Sequence, residues 1–196
     1  MILEPQLRFA PETLLAAQGL CAGNHIGMRA ALFDVDGVLT DGRLWIGAEG
    51  EIFKPFHALD GHGLKLLKQA HIAPIIITGR DSAAVRRRVS DLGIDHAYYG
   101  VHDKMAAAQG LLQSMNWDWG DVAVMGDDWP DLPIMTKAGF ACAPPHAHTE
   151  VRSRAHYITQ AAAGQGAARE LCDLLLMAAG RYAPLLQGHL TTLDGN

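Results

Sequence analysis

The apolar run Ala30-Ala31-Leu32-Phe33 ends abruptly at two carboxylates, Asp34 and Asp36, spaced i, i+2 and followed by Gly37. Acids this close repel unless a cation lies between them or one keeps its proton. The pair therefore suits Mg2+, a hard ion that prefers oxygen ligands and phosphate partners. By itself the pattern reads equally well as an acidic turn after a strand. Two more apolar runs change the balance. Ile75-Ile76-Ile77 ends at Thr78-Gly79-Arg80, and Val122-Ala123-Val124-Met125 ends at Gly126-Asp127-Asp128. In one parallel sheet all three ends share an edge, outside which open α/β sheets bind ligands. Coincidence explains three such endings poorly.

The elements between them must bring those ends together. Continuous β-branched runs such as Ile75-Ile76-Ile77 predict strands buried on both faces. Leu64-Lys65-Leu66-Leu67-Lys68-Gln69-Ala70 predicts an amphipathic helix, with Leu59-Asp60-Gly61-His62-Gly63 leading into it. Asp81 or Ser82 can cap a helix that stops at Gly93, and Asp103 can cap one that opens with Lys104. Further strands are expected at 96–99 and 140–143, with a last helix over about 167–179. This alternation of strand and helix predicts right-handed crossovers and a doubly wound parallel sheet, an α/β fold of Rossmann-like type. Leu44-Trp45-Ile46 and Glu51-Ile52-Phe53, around Gly47-Ala48-Glu49-Gly50, read as a small inserted β-hairpin whose aromatics need cover.

Composition narrows the function. The 196 residues fit one domain, with 49% hydrophobic and 19% charged residues, and the net charge of -5 offers no basic field for nucleic acid. Cys21, Cys142 and Cys172 are odd in number and form no CxxC, which argues for a reducing compartment and against disulfides or structural zinc. No apolar run approaches the ~20 residues of a membrane span. No signal layout opens the chain. A cytoplasmic enzyme is expected, with a peripheral extension at 1–27, one domain at 28–179 and a tail at 180–196. His146-Ala-His148, beside prolines and without a third ligand, reads as a loop.

With these residues in view, the chain resembles the haloacid dehalogenase-like phosphatases over about 28–145. Asp34-x-Asp36-Gly37-Val38-Leu39-Thr40 is similar to their first motif, Thr78-Gly79 to the second, Lys104 to the third, and Gly126-Asp127-Asp128-x-x-Asp131 to the fourth. Thr40-Asp41-Gly42, the hairpin, Asp60-Gly61-x-Gly63, Ile77-Thr78-Gly79-Arg80 and Gly164-x-Gly166-Ala167 extend the likeness over about 28–176. They point to the capless subfamily of 3-deoxy-D-manno-octulosonate 8-phosphate phosphatases. Ala163 stands where that subfamily's tail commonly carries its first glycine. Only 44 positions separate Asp34 from Thr78 and 26 separate Thr78 from Lys104, which leaves no room for a cap domain.

The resemblance implies that Asp34 attacks phosphorus and that Asp36 protonates the leaving sugar oxygen, then activates water. It implies Mg2+ held by the Asp34 carboxylate, the Asp36 backbone carbonyl and Asp127, with Asp128 and Asp131 supporting them. Thr78 and Lys104 would hold phosphoryl oxygens. The substrate-binding set is Asp36, Asp60, Gly61, Thr78, Gly79, Arg80, Arg88 and Lys104. Within it Arg80 and Arg88 offer a fork for a sugar-acid carboxylate, although Arg86-Arg87-Arg88 also reads as a solvated face. The implied substrate is a phosphorylated sugar acid of lipopolysaccharide synthesis. A nine-carbon sialic-type acid phosphate and a non-catalytic oligomerisation domain are the alternatives. A homotetramer is implied, its hairpins packed together and the Gly164–Ala167 segment of one subunit lying over the next site.

Overall fold

A computed structural model describes residues 9–19 and 27–191; Cys21, Gly23 and the ends of both terminal segments lie outside the described residues. Six strands form one parallel sheet in the order β5-β4-β1-β6-β7-β8. They are β1 (Ala30–Phe33), β4 (Ala73–Ile77), β5 (His96–Tyr98), β6 (Val122–Met125), β7 (Phe140–Ala143) and β8 (Tyr157–Ile158). Between β1 and β4 stand β2 (Trp45–Gly47) and β3 (Gly50–Phe53), a separate antiparallel hairpin that pairs Trp45 with Phe53. The chain builds outward from β1 through β4 to β5, then returns to β6 on the other side. The order of the sheet therefore reverses between β1 and β6, which pair Phe33 with Met125.

Side chains alternate across the sheet and divide the core in two. Ala31, Phe33, Ile76 and Met125 pack with Leu64, Leu67, Leu171 and Leu175 on one face. These leucines come from α2 (Ala58–Gln69) and α7 (Ala167–Ala178). Leu32, Ile75, Ile77 and Val124 face the other way, against α4 (Lys104–Met115) and α5 (Leu132–Met135). All four residues of β1 are buried. That explains an apolar run with no polar alternation.

The helix over Ala83–Leu92, α3, is capped by Ser82 and stops at Gly93. Asp103 caps α4 by accepting from Ala106 N at 2.9 Å. One expectation changes. Helix α2 opens at Ala58, so Asp60-Gly61-His62-Gly63 forms its first turns and does not precede it. Glycines weaken a helix, but a Cβ at Gly61 would meet the Arg88 guanidinium, and one at Gly63 would lie 3.0–3.1 Å from Arg169 and Cys172. Close packing against α3 and α7 decides those positions.

The remaining helices are α1 (Pro11–Ala16), α6 (Thr149–Arg152) and α8 (Tyr182–Thr191). Ala17, just after α1, is buried in the core, and Tyr182 and Leu185 of α8 pack against that same core. Among the described residues no helix is long and apolar enough to cross a membrane.

Candidate active site

Asp34 leaves the end of β1 with its amide donating to Met125 O of β6 at 3.1 Å. That bond fixes it at the strand-order reversal, where such sheets bind ligands. Asp127 emerges from β6 directly opposite. Gly37 turns with φ 85°, and a Cβ there would collide with the Asp127 carboxylate. The glycine thus opens the backbone turn and also clears the space between the two aspartates.

Lys104 stands at the first position of α4, where a cation opposes the helix dipole. Carboxylates hold it there. Its Nζ lies 2.9 Å from Asp34 Oδ1 and 2.6 Å from Asp131 Oδ1, with all three side chains largely buried. The second oxygen of Asp131 accepts from the amides of Asp127 (3.1 Å) and Asp128 (3.4 Å). Asp131 therefore ties the lysine to the loop that carries Asp127. The amide of His148 adds a bond to Asp127 O at 2.8 Å. His148 itself caps α6, its Nδ1 accepting from Glu150 N and from the indole N–H of Trp129.

The electrostatics describe a crowded acid cluster. Burial first, and then the charges of Asp34, Asp131 and Asp128, push Asp127 up to about 8. Burial and the Asp131 charge push Asp34 to about 6 against the pull of Lys104. Burial works to lower Lys104, but Asp34 and Asp131 outweigh it and hold the ammonium above its ordinary value. Ligand oxygens of Asp34, Asp127 and Asp131 lie within 4.8 Å of one another. One ammonium for three carboxylates leaves repulsion that a further cation would relieve. An all-oxygen donor set of this charge fits Mg2+.

A cavity of about 450 Å³ opens over this cluster. Asp34, Asp36, Thr78, Gly79, Arg80, Lys104, Asp127, Asp128 and Asp131 all line it. Thr78 is buried, its carbonyl accepting from Val101 N and its hydroxyl from Arg80 N. Sequence reasoning passed over His102, which also lines the cavity. It passed over Lys54 too, whose ammonium pairs with the Asp36 carboxylate. A single lysine at the end of an exposed hairpin carries no sequence signal for such a role.

Three predicted substrate contacts lie outside the cavity. Arg88 turns toward His57 O (3.4 Å) and the Phe56 ring, while Arg86 and Arg87 form exposed pairs with Asp81 and Asp91. Gly61 packs against Arg88. Asp60 is buried and accepts from Gly166 N (3.3 Å) and Arg169 N (2.8 Å). The tail that supplies those amides is bonded within its own chain at a second place. Gly164 donates to Val38 O at 3.1 Å, and a Cβ on it would come within 2.6 Å of the Thr40–Asp41 backbone. The Gly164–Ala167 segment is thus fastened to its own subunit, and the buried Asp60 carboxylate, which needs donors, takes backbone amides from this stretch.

The sequence model of the haloacid dehalogenase-like hydrolases matches residues 99–171. The 3-deoxy-D-manno-octulosonate 8-phosphate phosphatase of Escherichia coli (strain K12) is 42% identical over 154 residues, which is 79% of this chain and 82% of that protein. The chain belongs to this phosphatase family. Solved structures of the family agree. A phosphatase from Moraxella catarrhalis, in complex with magnesium, phosphate and KDO, is 36% identical with a TM-score of 0.83, covering 91% of this chain and 98% of that one. A probable YrbI-family phosphatase from Pseudomonas syringae is 39% identical with a TM-score of 0.85, covering 95% of this chain and 100% of that one.

Proposed function

We propose that this protein hydrolyses 3-deoxy-D-manno-octulosonate 8-phosphate to 3-deoxy-D-manno-octulosonate and phosphate, a step of lipopolysaccharide precursor synthesis in the cytoplasm. The observation that carries this reading is the Asp34–Lys104–Asp131 chain beside Asp127 at the strand-order reversal. Phosphate monoesters hydrolyse very slowly unaided, so covalent and electrostatic help are both needed.

An Asp34 oxygen attacks phosphorus as the bond from phosphorus to the sugar oxygen breaks, and Asp36 gives its proton to that departing oxygen. Water then attacks the phosphorus of the aspartyl-phosphate. Asp36 takes the water's proton, and the bond from phosphorus to Asp34 breaks. Lys104 and Thr78 hold the phosphoryl oxygens throughout. Arg80, at the mouth, meets the sugar-acid carboxylate. Asp34, Asp127 and the backbone of Asp36 would hold Mg2+, which when bound supplies positive charge against the phosphoryl oxygens.

A homotetramer is part of the reading. Trp45, Ile46, Ile52 and Phe53 are 44–65% exposed on the hairpin, an apolar face that a second subunit would cover. A phosphate-release panel in Mg2+ tests the whole. The octulosonate phosphate should be the best substrate, ahead of a nine-carbon sialic-type acid phosphate and a neutral sugar phosphate. Release from none of them would leave only the oligomerisation-domain alternative.

A further inference from the structure

Lys54 follows directly on β3, in a hairpin whose strand residues are nearly all exposed, yet only 1% of its own side chain is accessible. Lysine is almost never buried without partners. Its partners are the Asp36 carboxylate, bonded through Oδ1, and Glu51, whose Oε2 lies 3.2 Å away. Glu51 in turn accepts from the hydroxyl of Ser82, the cap of α3. Burial pushes Glu51 up, but the Ser82 hydroxyl and the Lys54 ammonium outweigh it and hold the carboxylate below its ordinary value.

We propose that Lys54 is a positioning residue for leaving-group departure: from the hairpin it fixes the direction in which Asp36 presents its carboxyl to the substrate. The proposal rests on the phosphatase reading, since it needs Asp36 to act on the leaving oxygen. Lys54 does not line the cavity, so it works through Asp36 and touches no substrate. Among the described residues, the other cation paired with Asp36 is Arg80, half-exposed, with Nε 3.7 Å from Oδ2. At that distance and exposure Arg80 restrains the carboxyl weakly. Without Lys54, Asp36 keeps its place on the loop but loses its fixed orientation, and misorientation of a catalytic group is costly. The hairpin thus carries an apolar outer side and, facing inward, a mooring for a catalytic side chain.

The test compares esters whose leaving groups differ in their need for a proton. The ratio kcat/KM reports steps up to departure of the leaving group. A sugar alkoxide needs protonation, whereas p-nitrophenolate scarcely does. Lys54→Met should lower kcat/KM on the sugar-acid phosphate by about 100-fold, the low end for a general acid. On p-nitrophenyl phosphate the fall should stay within about fivefold, because the phosphoryl machinery is untouched. Lys54→Arg should recover at least about tenfold of the loss, since it restores a cation of similar reach. Lys54→Gln, which keeps length and a donor, takes the place of the methionine variant if that fails to fold, with the same selective loss expected.

Asp36→Asn, run in parallel, separates the two ways of failing. If Asp36→Asn is selective for the sugar ester while both neutral Lys54 variants fall equally on the two esters, Lys54 is a structural residue and the proposal is wrong. An arginine variant no better than methionine or glutamine also overturns it. If Asp36→Asn itself shows no leaving-group dependence, the assigned role of Asp36 falls, and the proposal falls with it.

Discussion

Two buried lysines in this protein have the same local chemistry and different surroundings. Lys104 bridges Asp34 and Asp131, and Lys54 bridges Asp36 and Glu51. Each sits between one carboxylate of the Asp34-x-Asp36 pair and one supporting acid. Lys104 opens α4 and lines the cavity; Lys54 follows the hairpin and does not. On the proposed reading they serve opposite ends of the scissile bond, Lys104 the phosphoryl group and Lys54 the carboxyl that serves the leaving group.

Between the two lysines, the larger expected effect comes from Lys104→Met. Losing a charged clamp on a phosphoryl group should cost about 10^3 in kcat/KM, and the loss should be the same for the sugar ester and for p-nitrophenyl phosphate. A loss confined to the sugar ester would erase the contrast with Lys54. Breaking a buried pair also leaves carboxylates unpartnered, so thermal unfolding should be measured alongside the rates.

The second prediction concerns the acid cluster and Mg2+. Burial and the neighbouring carboxylates push Asp127 in the metal-free fold from an ordinary 3.8 up to about 8. A raised folded pKa means that the folded state keeps a proton the unfolded chain has already released. Stability of the metal-free protein should therefore fall as pH rises from about 4 through 8. Mg2+ competes with that proton and relieves the repulsion. The rise in melting temperature on adding Mg2+ should be larger at pH 8 than at pH 5.5. An equal or larger rise at pH 5.5 would contradict the reading of this cluster. No corresponding metal effect is expected around Lys54.

The smallest effect on activity is expected at Asp60. Burial raises its pKa against the pull of the tail amides that bond to it. Asp60→Ala should lower stability by about 1–3 kcal/mol, the cost of leaving buried donors unsatisfied. Activity per folded molecule should stay within about twofold, because the residue lies outside the cavity. A collapse of activity with an intact melting transition would place Asp60 at the substrate after all.

The sequence was most legible where strand ends carry chemistry. Asp34, Thr78 and Asp127 sit at strand ends, where an apolar period stops and a polar residue follows, so their positions could be read from pattern; Lys104, at the start of α4, was singled out only by the family resemblance. Asp131 was expected to support the metal ligands, and its carboxylate lies beside those of Asp34 and Asp127. Lys54 and Asp60 were harder for a common reason: the Asp36 partner of Lys54 is 18 positions away, and the backbone donors to Asp60 are 106 or more away. Contacts across such separations are set by packing of the hairpin and of α2 on α7, which no local period encodes. The Leu59–Gly63 segment was read as leading into α2, and the resemblance placed Asp60 and Gly61 at the substrate. In the folded protein its glycines let helices approach.

The claim on which everything else depends is that Asp34 is the nucleophile. Its most direct test is phosphate release from 3-deoxy-D-manno-octulosonate 8-phosphate by Asp34→Asn in saturating Mg2+, with circular dichroism to confirm the fold. The account predicts turnover reduced by at least about 10^4, since the attacking oxygen and a metal ligand are lost together. Turnover within tenfold of the unaltered protein would contradict it.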